Sequence, residues 1–179
     1  MKKQLSSIDL HFLLRELELL KNSRIDKIYQ PERDLLIFSF YKANVGKRLL
    51  RIDVRKAIFI TEEKEDYPEI LGFGQFLRKH IDGCFLTDME QVQPERIIKL
   101  IFQIKESTRF LYIELIGKGN AILCNEHNAI MNALELHDYS TRSIRPKLKY
   151  VYPVMAYNIF NLNDSDLTEL LKNSKKDLL

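Results

Sequence analysis

The stretch RIDKIYQPERDLLIFSFYKANVGKRLLRIDVRKAIFITE, residues 24–62, holds four short segments rich in Ile, Leu, Phe and Tyr. Turn-forming residues separate the first three segments, with Pro and Asp in 31–34 and Asn and Gly in 43–46. Segments of this length and composition, bounded in this way, are typical of β-strands. The stretch therefore predicts four consecutive strands, at 24–30, 35–42, 48–54 and 57–62.

The residues on either side of this stretch extend the pattern. Leucines 10, 13, 14, 17 and 20 share one helical face, which predicts a helix at 7–22 that opens with Ser6 and Asp9 at capping-box spacing. A second helix is expected at 69–81; its Gly72 and Gly74 suggest close packing or close approach by a ligand. A third begins near Asp164, with Asp164 or Ser165 as its N-cap. Five more strands are expected, at 85–92, 97–104, 109–116, 120–124 and 130–135, with hairpin turns at 117–119 and 125–128.

Nine strands with two embedded helices and a C-terminal helix predict an α+β fold. We expect a mostly antiparallel β-sandwich or a flattened barrel. Strands and helices do not alternate as βαβ units and no glycine-rich phosphate loop is present, which excludes a Rossmann or P-loop protein.

Composition places the chain among globular proteins. Its 179 residues are 45% hydrophobic and 30% charged, and the net charge is only +3, so any surface for nucleic acid must be local. The sequence shows no signal peptide and no apolar stretch long enough to cross a membrane. We therefore expect a soluble, cytoplasmic protein without membrane contact. Cys84 and Cys124 are expected to be buried thiols.

Residues that could perform catalysis are sparse. The four histidines are scattered, and none stands at metal-ligand spacing with a cysteine or a carboxylate. No nucleophile-elbow motif is present. We expect no catalytic residues, no metal and no cofactor, so the domain is predicted not to be an enzyme.

Two groups of cations are candidates for contact with RNA. Arg78 and Lys79 stand near the end of the second predicted helix, where they either complement the helix dipole or contact phosphate. Residues 142–149 carry four cations without an acid and have tyrosines beside them, which suits RNA, although the residues alone favour a solvated loop. The cations of this run are Arg142, Arg145, Lys147 and Lys149. Glu95 and Arg96, taken alone, are typical of a surface ion pair.

Taken in order, several short segments resemble the N-terminal domain of the NFACT family of ribosome quality-control factors. These segments are Ser6-x-x-Asp9, Ile28-Tyr29, Arg55, Ile60-Thr61-Glu62, Leu77-Arg78-Lys79-His80, Glu95-Arg96, Glu114-Leu115, GNAIL at 119–123 and RPKLKYVYP at 145–153. The resemblance assigns residues 1–155 to that domain. It assigns residues 156–179 to a linker and the first helix of the helix-hairpin-helix domain that follows in the family.

The resemblance implies a fold like the N-terminal domain of formamidopyrimidine-DNA glycosylases. It implies binding of tRNA and of large ribosomal subunits that carry peptidyl-tRNA, with support for untemplated C-terminal tailing of the nascent chain. The family's functional acid corresponds to Asp9, and its acid–arginine pair corresponds to Glu95 and Arg96. Glu95 replaces the aspartate of eukaryotic members and is longer by one methylene group. The expected tRNA or ribosome contacts are Asp9, Arg55, Arg78, Lys79, Glu95, Arg96, Arg142, Arg145 and Lys147.

Three alternative functions remain. One is a general RNA- or DNA-binding module without tailing activity. Another is a glycosylase-like DNA-acting enzyme, although the chain begins Met1-Lys2-Lys3 and lacks the N-terminal proline nucleophile of those enzymes. The third is a surface adhesin, the role suggested by the fibronectin-binding label of some family members.

Overall fold

The computed structural model describes residues 5–62, 67, 72–92, 95–153 and 163–173. Its helices are α1 (Ser7–Leu17), α2 (Gly72–Ile81) and α3 (Asp164–Asn173), and a 3₁₀ turn at Glu18–Leu20 extends α1. Its strands are β1 (Ser23–Glu32), β2 (Leu35–Lys42), β3 (Gly46–Asp53), β4 (Ala57–Thr61), β5 (Phe85–Gln91), β6 (Ile97–Ile104), β7 (Ser107–Glu114), β8 (Asn120–Cys124), β9 (Ile130–Ala133), β10 (His137–Asp138) and β11 (Ser143–Ile144).

Nine of these strands form one antiparallel sheet in the order β4-β3-β2-β1-β5-β6-β7-β8-β9. The sheet consists of two meanders, β1–β4 and β5–β9, in which each strand pairs with the next along the chain. Strands β1 and β5 join the meanders through only two register pairs, Ser23 with Leu86 and Arg24 with Phe85. The prediction of four strands followed by five is confirmed.

The main core lies between the two meanders. Alternate residues of each strand point inward because successive side chains in a strand face opposite sides of the sheet. Phe38 of the first meander stacks on Phe102 of the second with ring centroids 6.3 Å apart, and Leu50 and Leu111 are fully buried in the same cluster. The expected antiparallel α+β sandwich is therefore confirmed.

The two embedded helices close different parts of this sandwich. Helix α1 packs against β4 and β5, whereas α2 packs against β1 and β9. The predicted leucine face points inward, since Leu10, Leu17 and Leu20 are buried and Leu13 and Leu14 pack against the core. The predicted capping box is present, with Ser6 as N-cap and Asp9 as the acid.

Several local predictions need correction. The N-cap of α3 is neither Asp164 nor Ser165: the helix begins at Asp164, and Asn163 directly before it accepts a hydrogen bond at Oδ1 from Asp166 N at 2.9 Å. The short hairpin β10–β11 was not predicted. A Cβ atom built on Gly72 would have no described atom within 4 Å. Residues 69–71, the predicted start of α2, lie outside the described residues.

Hairpin turns alternate between the two ends of each meander, so the β1–β2 and β3–β4 turns share one end of the first meander and the β5–β6 and β7–β8 turns share one end of the second. The turns after β3 and before β8 touch across the sandwich: a Cβ atom built on Gly119 would lie 2.1 Å from the Val54 carbonyl oxygen. Arg33 and Glu135 form an ion pair between the same two meanders. We call this part of the molecule the closed end, defined by the contact of Val54 with Gly119.

Candidate functional site

Asp9 and Arg96 both contact the turn of chain at the N-terminus of α1. The Asp9 carboxylate accepts hydrogen bonds from Ser6 N at 2.6 Å and Ser6 Oγ at 2.7 Å, and Asp9 N donates to Ser6 Oγ at 3.2 Å. Arg96 Nη1 donates to the Leu5 carbonyl at 3.2 Å, although these residues are 91 positions apart in sequence. The fold thus brings the arginine to the turn of chain that carries the aspartate.

The β5–β6 loop, which carries Glu95 and Arg96, is fixed on three sides. Glu95 N donates to Val92 O at 2.8 Å, and Leu115 N donates to Arg96 O at 2.8 Å. Gln91 Nε2 donates to Ser7 O at 2.9 Å and to Glu95 O at 3.2 Å, which ties the loop to α1. Sequence reasoning missed Gln91, and no motif in the sequence points to it.

Arg55 lies in the β3–β4 turn, next to Val54 at the closed end. Its Nε is 2.8 Å from Asp34 Oδ2, and its backbone N–H donates to Asp53 Oδ1 at 3.1 Å. The Arg96 carbonyl accepts a hydrogen bond from Leu115 N, and Leu115 directly follows β7, before the turn that holds Gly119. Since Gly119 touches Val54, next to Arg55, Arg55 and Arg96 belong to the same end of the sandwich. Four of the predicted site residues, Asp9, Arg55, Glu95 and Arg96, therefore lie toward this end, with Asp9, Glu95 and Arg96 linked through α1 and the β5–β6 loop.

Arg78 and Lys79 lie elsewhere, on the helix that packs against β1 and β9. Arg78 Nε donates to Ile28 O at 2.8 Å, and its guanidinium lies 5.8 Å from the centre of the Tyr29 ring. Lys79 is exposed. The pKa of the neighbouring His80 is lowered by burial and, to a lesser extent, by Lys79 and Arg109. No contact among the described residues joins these cations to the Asp9–Arg96 group.

Arg142 is held within the fold. Its Nη1 and Nη2 donate to the two carboxylate oxygens of Glu114 at 2.6 and 2.7 Å, and the two side chains are 7% and 4% exposed. Tyr150 OH donates to Glu114 Oε1 at 2.7 Å, and Arg142 Nη1 also donates to Val151 O at 3.0 Å. A guanidinium in this position has no open face for phosphate. We therefore leave Arg142 out of the candidate interface.

Arg145 and Lys147 are exposed, and among the described residues their hydrogen bonds and ion pairs are with other segments than α1 and the β5–β6 loop. Arg145 forms an ion pair with Asp138, its Nε donating to Oδ1 at 2.9 Å. Lys147 has φ +74° at the tip of a turn and donates its N–H to Ile130 O, at the start of β9. In the described part of the chain, the ion pair of Arg145 and the backbone hydrogen bond of Lys147 are thus made with Asp138 and Ile130, not with the turn of chain that Asp9 and Arg96 contact.

The described residues contain no group of three or more His, Cys, Asp or Glu side chains placed to hold a metal ion. Both cysteines are buried, and burial raises the pKa of Cys84 to about 11 and that of Cys124 to about 12. None of the helices in the described part of the chain is long and apolar enough to span a membrane.

Solved structures share this architecture. The N-terminal domain of the fibronectin-binding protein PavA from Streptococcus pneumoniae matches with a TM-score of 0.79 and 26% identity, over 95% of this chain and 69% of that one. The N-terminal part of a fibronectin/fibrinogen-binding protein from Streptococcus suis matches with a TM-score of 0.82 and 23% identity, over 96% and 70%. The sandwich with its two closing helices therefore defines the class of N-terminal domain found in those bacterial proteins.

The sequence comparisons identify the family. The model of the NFACT N-terminal and middle domains matches residues 6–179, and the chain belongs to the NFACT family. The archaeal Rqc2 homolog aRqcH of Methanocaldococcus jannaschii is 31% identical over 97% of this chain and 27% of its own length. The ribosome quality control complex subunit 2 of Saccharomyces cerevisiae is 29% identical over 98% and 17%. The chain thus spans about a quarter or less of the length of these two relatives.

Proposed function

We propose that this domain binds tRNA on large ribosomal subunits obstructed by peptidyl-tRNA, as part of a cytoplasmic factor that supports untemplated C-terminal tailing. The observation that carries the proposal is the meeting of Arg96 with the α1 N-terminus beside Asp9, at a fixed loop of the closed end. Family membership supports it, because relatives are named as ribosome quality-control subunits.

Arg96 and Asp9 have different roles in this proposal. A guanidinium is a full positive charge with five N–H donors suited to phosphate, and the bond to the Leu5 carbonyl fixes where this one lies. A carboxylate repels phosphate, so Asp9 would accept a hydrogen bond from a base edge or a ribose hydroxyl. The two hydrogen bonds that its carboxylate accepts from Ser6 fix the direction of the side chain for that role. Arg96 would supply affinity and Asp9 selectivity.

The test is a salt titration of tRNA affinity with the full-length protein. We expect Arg96→Ala to lower affinity about tenfold and to reduce the slope of log affinity against log salt concentration by about 0.7–0.9, since one phosphate is no longer neutralised. Asp9→Ala should leave the slope unchanged and reduce discrimination among tRNAs.

Arg48→Ala is the matched control. Arg48 is also a half-buried arginine, 3.3 Å from Glu62, but it lies near the start of β3 at the opposite end of the meander. Arg48→Ala removes one positive charge, as Arg96→Ala does, so it measures how much of the loss in tRNA affinity comes from long-range attraction alone. Equal effects of Arg48→Ala and Arg96→Ala would refute a specific phosphate contact. Binding to immobilised fibronectin without binding to tRNA would favour the function named for the bacterial structures.

We also propose that the domain catalyses no hydrolysis itself. The high pKa values of Cys84 and Cys124 support this, because a buried thiol that stays protonated is a poor nucleophile. Base excision from damaged duplex DNA, abolished by a point substitution in this chain, would contradict the proposal.

A further inference from the structure

Gln91, the last residue of β5, bridges two parts of the candidate site. Its Nε2 donates to Ser7 O in the first turn of α1 and to Glu95 O in the β5–β6 loop, at 2.9 and 3.2 Å. These two carbonyl oxygens fix the orientation of the amide, because the reverse orientation would place the amide oxygen against both of them. The side chain therefore sets the separation between α1 and the loop.

The other half of this amide is poorly satisfied. Gln91 Oε1 is buried and has no hydrogen-bond partner among the described residues. A buried acceptor without a donor is unfavourable compared with an apolar group of the same shape. Ser7 lies within α1, where a helical carbonyl accepts from the residue four positions later, so its oxygen does not depend on Gln91. Stability alone gives little reason for an amide at this position.

The position of Arg96 depends on the same separation. Arg96 follows Glu95 directly in the loop, and its guanidinium reaches across to the Leu5 carbonyl, just before the first turn of α1. A change in the distance between α1 and the loop would move the guanidinium relative to Asp9. Groups that recognise a ligand through several contacts tolerate displacements of only about 0.5 Å.

We propose that Gln91 is a positioning residue that sets Arg96 relative to Asp9 for contact with a phosphate of bound RNA. This inference rests on the proposed function. Gln91 itself does not touch the RNA; it acts through the loop that carries Arg96.

The experiment measures tRNA affinity and its salt slope for full-length wild type, Gln91→Met, Arg96→Ala and the double variant. Methionine keeps the length of the side chain and removes both the donor and the unpaired acceptor. We expect Gln91→Met to unfold in urea at or above the wild-type midpoint. It should nevertheless lower tRNA affinity about tenfold, and its salt slope should shrink as that of Arg96→Ala does. In the Arg96→Ala background, Gln91→Met should have no further effect.

Gln103→Met is the matched control. Gln103 is a strand glutamine whose Nε2 donates to a loop carbonyl, that of Lys105, at 2.9 Å, but it lies at the opposite end of the sheet. This variant should keep the wild-type affinity and slope. The salt slope of tRNA affinity also separates a positioning role from a structural defect. A partly unfolded preparation contains less active protein, but each active molecule neutralises the same number of phosphates, so its slope stays at the wild-type value.

The possible results are distinguishable. If Gln91→Met binds tRNA with wild-type affinity while Arg96→Ala binds it more weakly, the inference is overturned and the proposed function is unaffected. Additive losses in the double variant also overturn it, because Gln91 would then act independently of Arg96. Wild-type affinity of Arg96→Ala overturns the proposed function, and the inference with it.

Discussion

Replacing Gly119 by alanine puts a methyl group where the two meanders already touch. Gly119 has φ +75°, and the new Cβ atom would lie 2.1 Å from Val54 O and 2.5 Å from Val54 C. The left-handed backbone costs an alanine roughly 1–2 kcal/mol. Relieving a contact with backbone atoms costs a further 1–3 kcal/mol or so, the usual range for overpacking. Gly119→Ala should therefore lower the free energy of unfolding by about 2–5 kcal/mol, a large part of the roughly 5–15 kcal/mol typical of a domain.

Gly117, in the same turn, provides the control. It has φ +59° and no described atom within 4 Å of a hypothetical Cβ, so Gly117→Ala should cost only the roughly 1–2 kcal/mol of backbone strain. Urea denaturation of both variants measures the difference, provided that the m-values agree with wild type. Equal losses would show that the contact between Val54 and Gly119 does not hold the closed end together, and the reasoning would fail.

Three further predictions concern stability. Leu17→Ala should destabilise by about 2–5 kcal/mol, because Leu17 is fully buried, whereas Leu19→Ala, at a side chain 62% exposed, should change urea stability by under about 0.5 kcal/mol; similar losses would contradict the packing of α1. Arg142→Ala should destabilise by about 3–5 kcal/mol by leaving the Glu114 carboxylate buried without its partner, and a double-mutant cycle should find the two residues coupled. The lowered pKa of His80 means that the unfolded chain binds its proton more readily, so stability should be retained above pH about 6.5 and fall as the pH drops below that value. His80→Gln should lose less stability than wild type between pH 7 and 5 in urea titrations, and parallel losses would exclude His80 as the source.

The sheet was predictable because its signals are local. The strands of residues 24–62 are separated by turn residues close in sequence, and the antiparallel hairpins follow from those short connections. The capping box was predictable for the same reason, since Ser6 and Asp9 are three residues apart. The β10–β11 hairpin escaped prediction because two-residue strands leave no detectable alternation.

The candidate site was less predictable because its contacts join distant segments. The basic run at residues 142–149 is consistent with solvent exposure. Arg142 is nevertheless buried, because it pairs with the carboxylate of Glu114, 28 positions earlier in the chain. Nothing near Glu114 in sequence signals that pairing. In the same way, the contact of Arg96 with Leu5 depends on α1 docking beside the β5–β6 loop. The roles assigned to the site residues in tRNA and ribosome binding, and the boundary at residue 155, stay predictions.

The narrow junction between β1 and β5 has a consequence for how the chain folds. Within each meander, every strand pairs with its neighbour in sequence, so these contacts close short loops at small entropic cost. The junction instead brings together segments on either side of α2, through the pairs at Ser23–Leu86 and Arg24–Phe85 and through the backbone bonds Asn22 N to Leu86 O and Ile25 N to Cys84 O. The junction is thus suited to open locally while the hairpins of each meander and the core between them stay formed. In native-state hydrogen exchange, we expect the amides of Asn22 and Ile25 to exchange through an opening that leaves each meander protected.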